Sequence, residues 1–116
     1  MHKGILCIAA VLFTAATVST APRVSIKVSP AIVMVGGSIR VVCTVPRTAK
    51  NRGVTAMIEN YRSMYDQLDG ESARITHEFL FERIPCDVGD AVCTLEASSE
   101  KPASARQAIH VANCES

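Results

Sequence analysis

The chain has 116 residues, twelve basic against eleven acidic, with a formal net charge of +1, no tryptophan, three phenylalanines and two tyrosines. That length supports one modest domain rather than several. The even charge balance leaves no basic footprint for nucleic acid and no acidic tail.

The N-terminus reads as an export signal. His2 and Lys3 form a short basic region, Gly4 to Val18 is almost wholly apolar, and Thr17, Ser19, Thr20 and Ala21 are small. This is the layout of a cleavable signal peptide, with cleavage expected near Ser19 to Ala21. The expected division is therefore residues 1–21 as leader and 22–116 as one folded domain. The apolar run falls short of the roughly 20 residues a helix needs to span a bilayer. Cys7 stands too early for lipid attachment after the apolar run. No second run of membrane length follows, so the mature chain is expected to carry no transmembrane span and to be secreted, extracellular or periplasmic. Removing Lys3 leaves eleven basic against eleven acidic residues.

Five cysteines become four when Cys7 leaves with the leader: Cys43, Cys86, Cys93 and Cys114. An even number in an exported domain reads as two disulfides, and four cysteines allow three pairings.

Along the mature chain the hydrophobic period is two. Val24 to Val28 alternates strictly and stops at Pro30. Ala31 to Val35 is a second short apolar run, ended by Gly36-Gly37. Ser38 to Val45 places Ile39, Val41, Cys43 and Val45 on one face before Pro46. Arg47 to Gly53 reads as a polar loop and Val54 to Ile58 as a strand. Glu59 to Ser72 is mixed, with Asp69-Gly70 as a turn signal. Arg74 to Phe81 sets Ile75, His77, Phe79 and Phe81 on one face and ends before Pro85. Asp87 to Asp90 is a turn. Ala91 to Ala97 sets Ala91, Cys93, Leu95 and Ala97 on one face. Ser98 to Pro102 is a loop, and Ala105 to Val111 closes the domain with Ile109 and Val111 inward. Short alternating runs, separated by Gly, Pro, Asp and Ser about every ten residues, mark an all-β antiparallel sandwich or barrel.

Cys43 and Cys93 lie mid-strand on inward faces, and Asp87, Gly89 and Cys93 match three of the four fixed positions of an Asp-x-Gly-x-Tyr-x-Cys pattern. In these features the chain resembles the immunoglobulin superfamily, over essentially the whole mature length. The resemblance implies an antiparallel β-sandwich of about seven strands, with strands B and F joined through the core by a disulfide. It implies Cys43–Cys93 as that bridge. It also brings the E–F turn and the end of strand G to one end of the domain, which pairs Cys86 with Cys114. Two departures stand out. Ala91 replaces the tyrosine of the pattern, and no tryptophan is present to cover the disulfide, so Met57 or Ile58 is expected in its place.

No motif for catalysis occurs. His77-Glu78 lacks a second histidine four residues on, because Phe81 stands there. His77 reads as a hydrogen-bonded histidine on an inward face and His110 as an outer-face residue. No Gly-x-Ser-x-Gly element, phosphate loop or uncommitted thiol is present. Acidic pairs such as Asp87/Asp90 and Asp66/Asp69 read as turn formers. An enzyme is not expected, nor any cofactor or metal. Arg47, Lys50 and Arg52 cluster in the polar loop, and Tyr61, Arg62 and Tyr65 follow. Tyrosine and arginine carry binding energy at interfaces through rigid area with polar ends. The expectation is a secreted, non-enzymatic binding or adhesion module that recognises an extracellular protein or glycan through loops or an exposed sheet face, with these six residues as the binding candidates. The alternatives are a secreted inhibitor, with Arg47–Gly53 or Tyr61–Gly70 as its projecting loop, and a structural subunit of a surface assembly.

Overall fold

The computed structural model describes residues 24–70 and 75–114. The expected signal peptide, residues 1–21, lies outside the described residues. Among the described residues the chain is all-β. Nine strands follow in order: β1 (Ser25–Ser29), β2 (Ile32–Met34), β3 (Ile39–Thr44), β4 (Asn51–Ile58), β5 (Arg62–Gln67), β6 (Thr76–Phe81), β7 (Ala91–Ala97), β8 (Ala103–Gln107) and β9 (His110–Ala112). No described helix is long and apolar enough to cross a membrane.

The strands form two antiparallel sheets and a short ribbon. One sheet has the order β1-β3-β6, the other β5-β4-β7-β8, and β2 runs parallel to β9. In both sheets alternate residues turn inward, which produces the period of two in the sequence. From the first sheet come Val28, Ile39, Val41, Cys43, Phe79 and Phe81; from the second come Val54, Ala56, Ile58, Ala91, Cys93 and Leu95. These side chains share one core, an arrangement compatible with a β-sandwich. Burying a side chain such as Ile39, Ile58 or Phe81 contributes about 1.5–3 kcal/mol each.

Two disulfides close the domain. Cys43 of β3 and Cys93 of β7 join the facing sheets through the middle of the core, and both are fully buried. Cys86, in the β6–β7 connection, is bonded to Cys114 just after β9, and both are exposed. Two intramolecular bridges suit an oxidising compartment, extracellular or periplasmic.

Nine segments rather than about seven arise for two reasons. The mixed stretch after Glu59 forms β5, whose exposed, polar sequence carries no alternation because only Met64 is partly buried. The last run breaks at residues 108–109 into β8 and β9, and β8 begins at Ala103 rather than Ala105. The segment Arg47–Gly53 is also not all loop. β4 starts at Asn51, opposite Ala97, and a register shift between Asn51 and Gly53 leaves Arg52 as the extra residue of a bulge. Met57 is half-exposed, so of the two expected covers for the disulfide only Ile58 is buried. Ala56, also buried, lies opposite Cys93. Ile75 precedes the first residue of β6 and is exposed, unlike His77, Phe79 and Phe81.

Candidate binding face and its rim

The six candidate residues separate into two groups at opposite ends of the β4–β5 hairpin. An eight-residue strand puts those ends about 23 Å apart. At the β3–β4 end are Arg47, Lys50 and Arg52, all exposed. The 98–102 loop closes over this group. Ser98 N–H donates to the Lys50 carbonyl (2.8 Å), and Lys50 Nζ pairs with Glu100 Oε2 at 3.3 Å. Arg52 Nη1 donates to the carbonyls of Ala49 (3.0 Å) and Asn51 (2.9 Å), so its guanidinium is turned along the loop. Asn51 is buried beneath it, with Nδ2 donating to the Pro46 carbonyl at 2.6 Å.

Tyr65 joins this group. Opposite Thr55 in the β4–β5 register, it lies on the outer face of its sheet, 55% exposed. Its hydroxyl donates to the Arg52 carbonyl at 3.4 Å. The ring covers Gly53, where a Cβ would fall 2.5 Å from Tyr65 Cε1. Only glycine leaves room for the ring in this position. On the outer face beside Tyr65, Glu96 of β7 stands exposed opposite Gly53. Thr55 and Met57 follow along β4, and Thr94 and Ser104 share a hydroxyl–hydroxyl hydrogen bond of 3.2 Å between β7 and β8.

Tyr61 and Arg62 lie at the other end. The Tyr61 hydroxyl donates to the Glu82 carbonyl and ties the β4–β5 turn to the exit of β6. The Arg62 guanidinium stands 5.1 Å from the Tyr61 ring centroid, a cation–π distance. Beside them is a charged cluster that the sequence did not announce, because its members are far apart along the chain. Arg106 of β8 bridges Asp90 (Nη1–Oδ2 3.0 Å) and Glu59 (Nη2–Oε2 3.2 Å). Hydrogen bonding to Asp90 first, and then the Glu59 charge, raises the Arg106 pKa above its usual value. Glu59 also accepts Asp90 N–H on Oε1 at 2.9 Å, and its carbonyl accepts Gly89 N–H at 3.0 Å. Gly89 matters by its size, since a Cβ there would sit 2.9 Å from Glu59 Cβ. This corner ties the β4–β5 turn to the residues that lead into β7. As exposed ion pairs its members each add little stability, and the main-chain bonds do most of the tying.

His77 is buried on the inner face of β6, and its Nδ1 lies 3.0 Å from Asp66 Oδ2 of β5. The pair links the two sheets along their open side. His110 is exposed. Among the described residues no group of three His, Cys, Asp or Glu is placed to hold a metal ion.

No protein-family model matches this chain, and no curated protein matches its sequence.

Removing only the Tyr61 hydroxyl, in Tyr61→Phe, should lower unfolding free energy by about 0.5–1.5 kcal/mol, the net value of one hydrogen bond. Urea denaturation read by circular dichroism measures it. An unchanged midpoint would leave this tyrosine available to a partner.

Proposed function

We propose that the chain is an exported, non-enzymatic binding module of immunoglobulin-like architecture that recognises an extracellular protein or glycan. The outer face of β5-β4-β7-β8 is its contact surface, centred on Tyr65, with Arg52, Lys50 and Arg47 as a polar rim. The observation that carries this reading is the Tyr65 ring, half-exposed and seated on Gly53. A rigid aromatic with a polar tip, on a strand rather than a mobile loop, loses little entropy on binding.

The architecture is supported by the sheet orders β1-β3-β6 and β5-β4-β7-β8 and by the buried bridge between β3 and β7. We assign these to strands A, B, E and C′, C, F, G of the sandwich the sequence resembles, with β2 and β9 pairing as a separate ribbon. Fold alone does not select a ligand, so the proposal rests on the face. A projecting inhibitory loop finds less support, since Asn51–Ile58 and Arg62–Gln67 are strand.

The test is binding of the oxidised mature chain to panels of extracellular proteins and glycans, followed by affinity measurement for each ligand found. Tyr65→Ala should weaken binding about tenfold or more, as expected for an interface anchor. Arg52→Ala should weaken it less. Gly53→Ala should also weaken it by pushing the ring off its seat. Tyr65→Ala and Arg52→Ala should keep a melting temperature within a few degrees of the parent because those side chains are exposed, and so should Gly53→Ala, whose new methyl first meets the exposed Tyr65 side chain rather than backbone. A ligand held equally by parent, Tyr65→Ala and Gly53→Ala would place the interface elsewhere.

A further inference from the structure

Among the described residues, strand β5 ends its sheet and is hydrogen-bonded on one side only, to β4. Leu68 N–H donates to the Arg52 carbonyl at 2.9 Å, and the register runs on from there through Gly53↔Gln67 to Ile58↔Arg62. Opposed residues in an antiparallel pair alternate between bonded and non-bonded. Arg62, Met64 and Asp66 therefore turn their N–H and C=O groups to β4. Ser63, Tyr65 and Gln67 turn theirs to the open edge.

Such an edge is a template for another strand, and natural proteins usually blunt it with proline, lysine, a bulge or very short length. β5 has six residues, RSMYDQ, with no proline, no lysine and no register break against β4. Its sequence is also self-complementary in one register. Outward-turned residues must pair with outward-turned residues, so an antiparallel copy can be centred on Ser63, Tyr65 or Gln67. On the diagonal that the right-handed strand twist draws together, residue i with the one two before its opposite, centring on Ser63 makes the two Arg62 side chains neighbours on one face. Centring on Gln67 does the same to the two Asp66 carboxylates. Centred on Tyr65, each Arg62 is diagonal to Asp66 of the second copy, twice by symmetry, within reach of long side chains. In that register Ser63 faces Gln67 of the second copy and the two Tyr65 residues face each other.

We propose that β5 pairs with β5 of a second copy of this chain, antiparallel about a two-fold axis through Tyr65, joining two four-stranded sheets into one continuous sheet. About six main-chain hydrogen bonds form across the axis. The contact is small, so the dimer is weak and forms at micromolar concentration or above. The pairing uses the backbone edge, and it stands whether or not the outer face binds a foreign ligand.

Cross-linking of the oxidised mature chain tests it. In Tyr65→Cys the paired positions face each other at a Cα separation of about 5.5 Å, inside the range of about 4.4–6.8 Å that a disulfide spans. In Ser63→Cys, equally exposed, the two cysteines lie about 14 Å apart across the axis. Tyr65→Cys should give a disulfide-linked dimer and Ser63→Cys should stay monomeric. Adding Ser63→Pro to Tyr65→Cys removes an edge donor that the monomer does not use, and should abolish the cross-link. Peptide mapping checks that Cys43–Cys93 and Cys86–Cys114 persist. Sedimentation of the unmodified chain decides the matter independently of any added thiol. A concentration-dependent dimer should be weakened at least threefold by Arg62→Asp, which sets like charges on the diagonal, and lost in Ser63→Pro. Equal cross-linking by both cysteine variants, or sedimentation unaltered in folded Ser63→Pro, overturns the proposal.

Discussion

Replacing Cys43 and Cys93 together by alanine is expected to leave the domain without a cooperative fold at 37 °C. The bridge closes a separation of 50 residues in sequence, and the chain-entropy model assigns a loop of that size about 4 kcal/mol. Both sulfurs also sit in the core between β3 and β7, so their loss opens a void where the sheets meet. Single domains have about 5–15 kcal/mol of stability in total, and one with three phenylalanines sits low in that range. The comparison is Cys86→Ala with Cys114→Ala. That bridge is exposed and closes a separation of 28 residues, so its removal should cost about 3.5 kcal/mol by the same chain-entropy model but leave the core intact. Its loss should speed amide exchange at Val111 and Ala112, which are tied to β2. Thermal unfolding of the two double variants beside the parent reads the difference. Accessibility predicts the same order under mild thiol reductant, with Cys86–Cys114 opening first. A Cys43/Cys93 variant melting as high as the Cys86/Cys114 variant would mean that the core does not depend on its central bridge.

Phe81→Ala should be the most damaging single change to a strand residue. Phe81 is the largest fully buried side chain, opposite Ile39 across the β3–β6 pair. Truncating a buried phenylalanine costs about 3–5 kcal/mol, from lost transfer energy and the cavity left behind. Its neighbour Leu80 points the other way and is 47% exposed, so Leu80→Ala should stay within about 0.5 kcal/mol of the parent. Urea midpoints for the two variants measure the contrast. Equal effects would mean that β6 is shifted by one residue, because a one-residue slip exchanges the faces of every side chain on the strand.

The period-two runs of β1, β3, β6 and β7 were legible because each has one face in the core and one in water, and a strand of that kind writes its burial into its residue types. His77 was legible for the same reason, as a polar residue at an inward position with a hydrogen-bonding partner. Those elements also placed Cys43 and Cys93 inward, while the bare count of four cysteines left three pairings open. β5 was illegible because it is an edge strand with only Met64 partly buried, so nothing selects alternation along it. The start of β4 was hidden by Asn51 and Arg52, polar residues admitted to the ladder by a bulge and by a buried side-chain bond to the Pro46 carbonyl.

Among the candidate site residues, tyrosine and arginine identities were visible and their grouping was not. Six residues close in sequence divide between the two ends of a hairpin, because the chain reverses at Glu59-Asn60-Tyr61. Only the tertiary structure commits the Tyr61 hydroxyl to Glu82 and leaves Tyr65 over Gly53, and only it gathers Glu59 and Asp90 from two connections and Arg106 from β8. By itself the sequence determined the strand class and the inward positions of its apolar residues, since those depend on neighbours one or two residues away. The partner of each cysteine, the edge that stays open and the face that Tyr65 presents depend on residues tens of positions apart, and sheet pairing decided them.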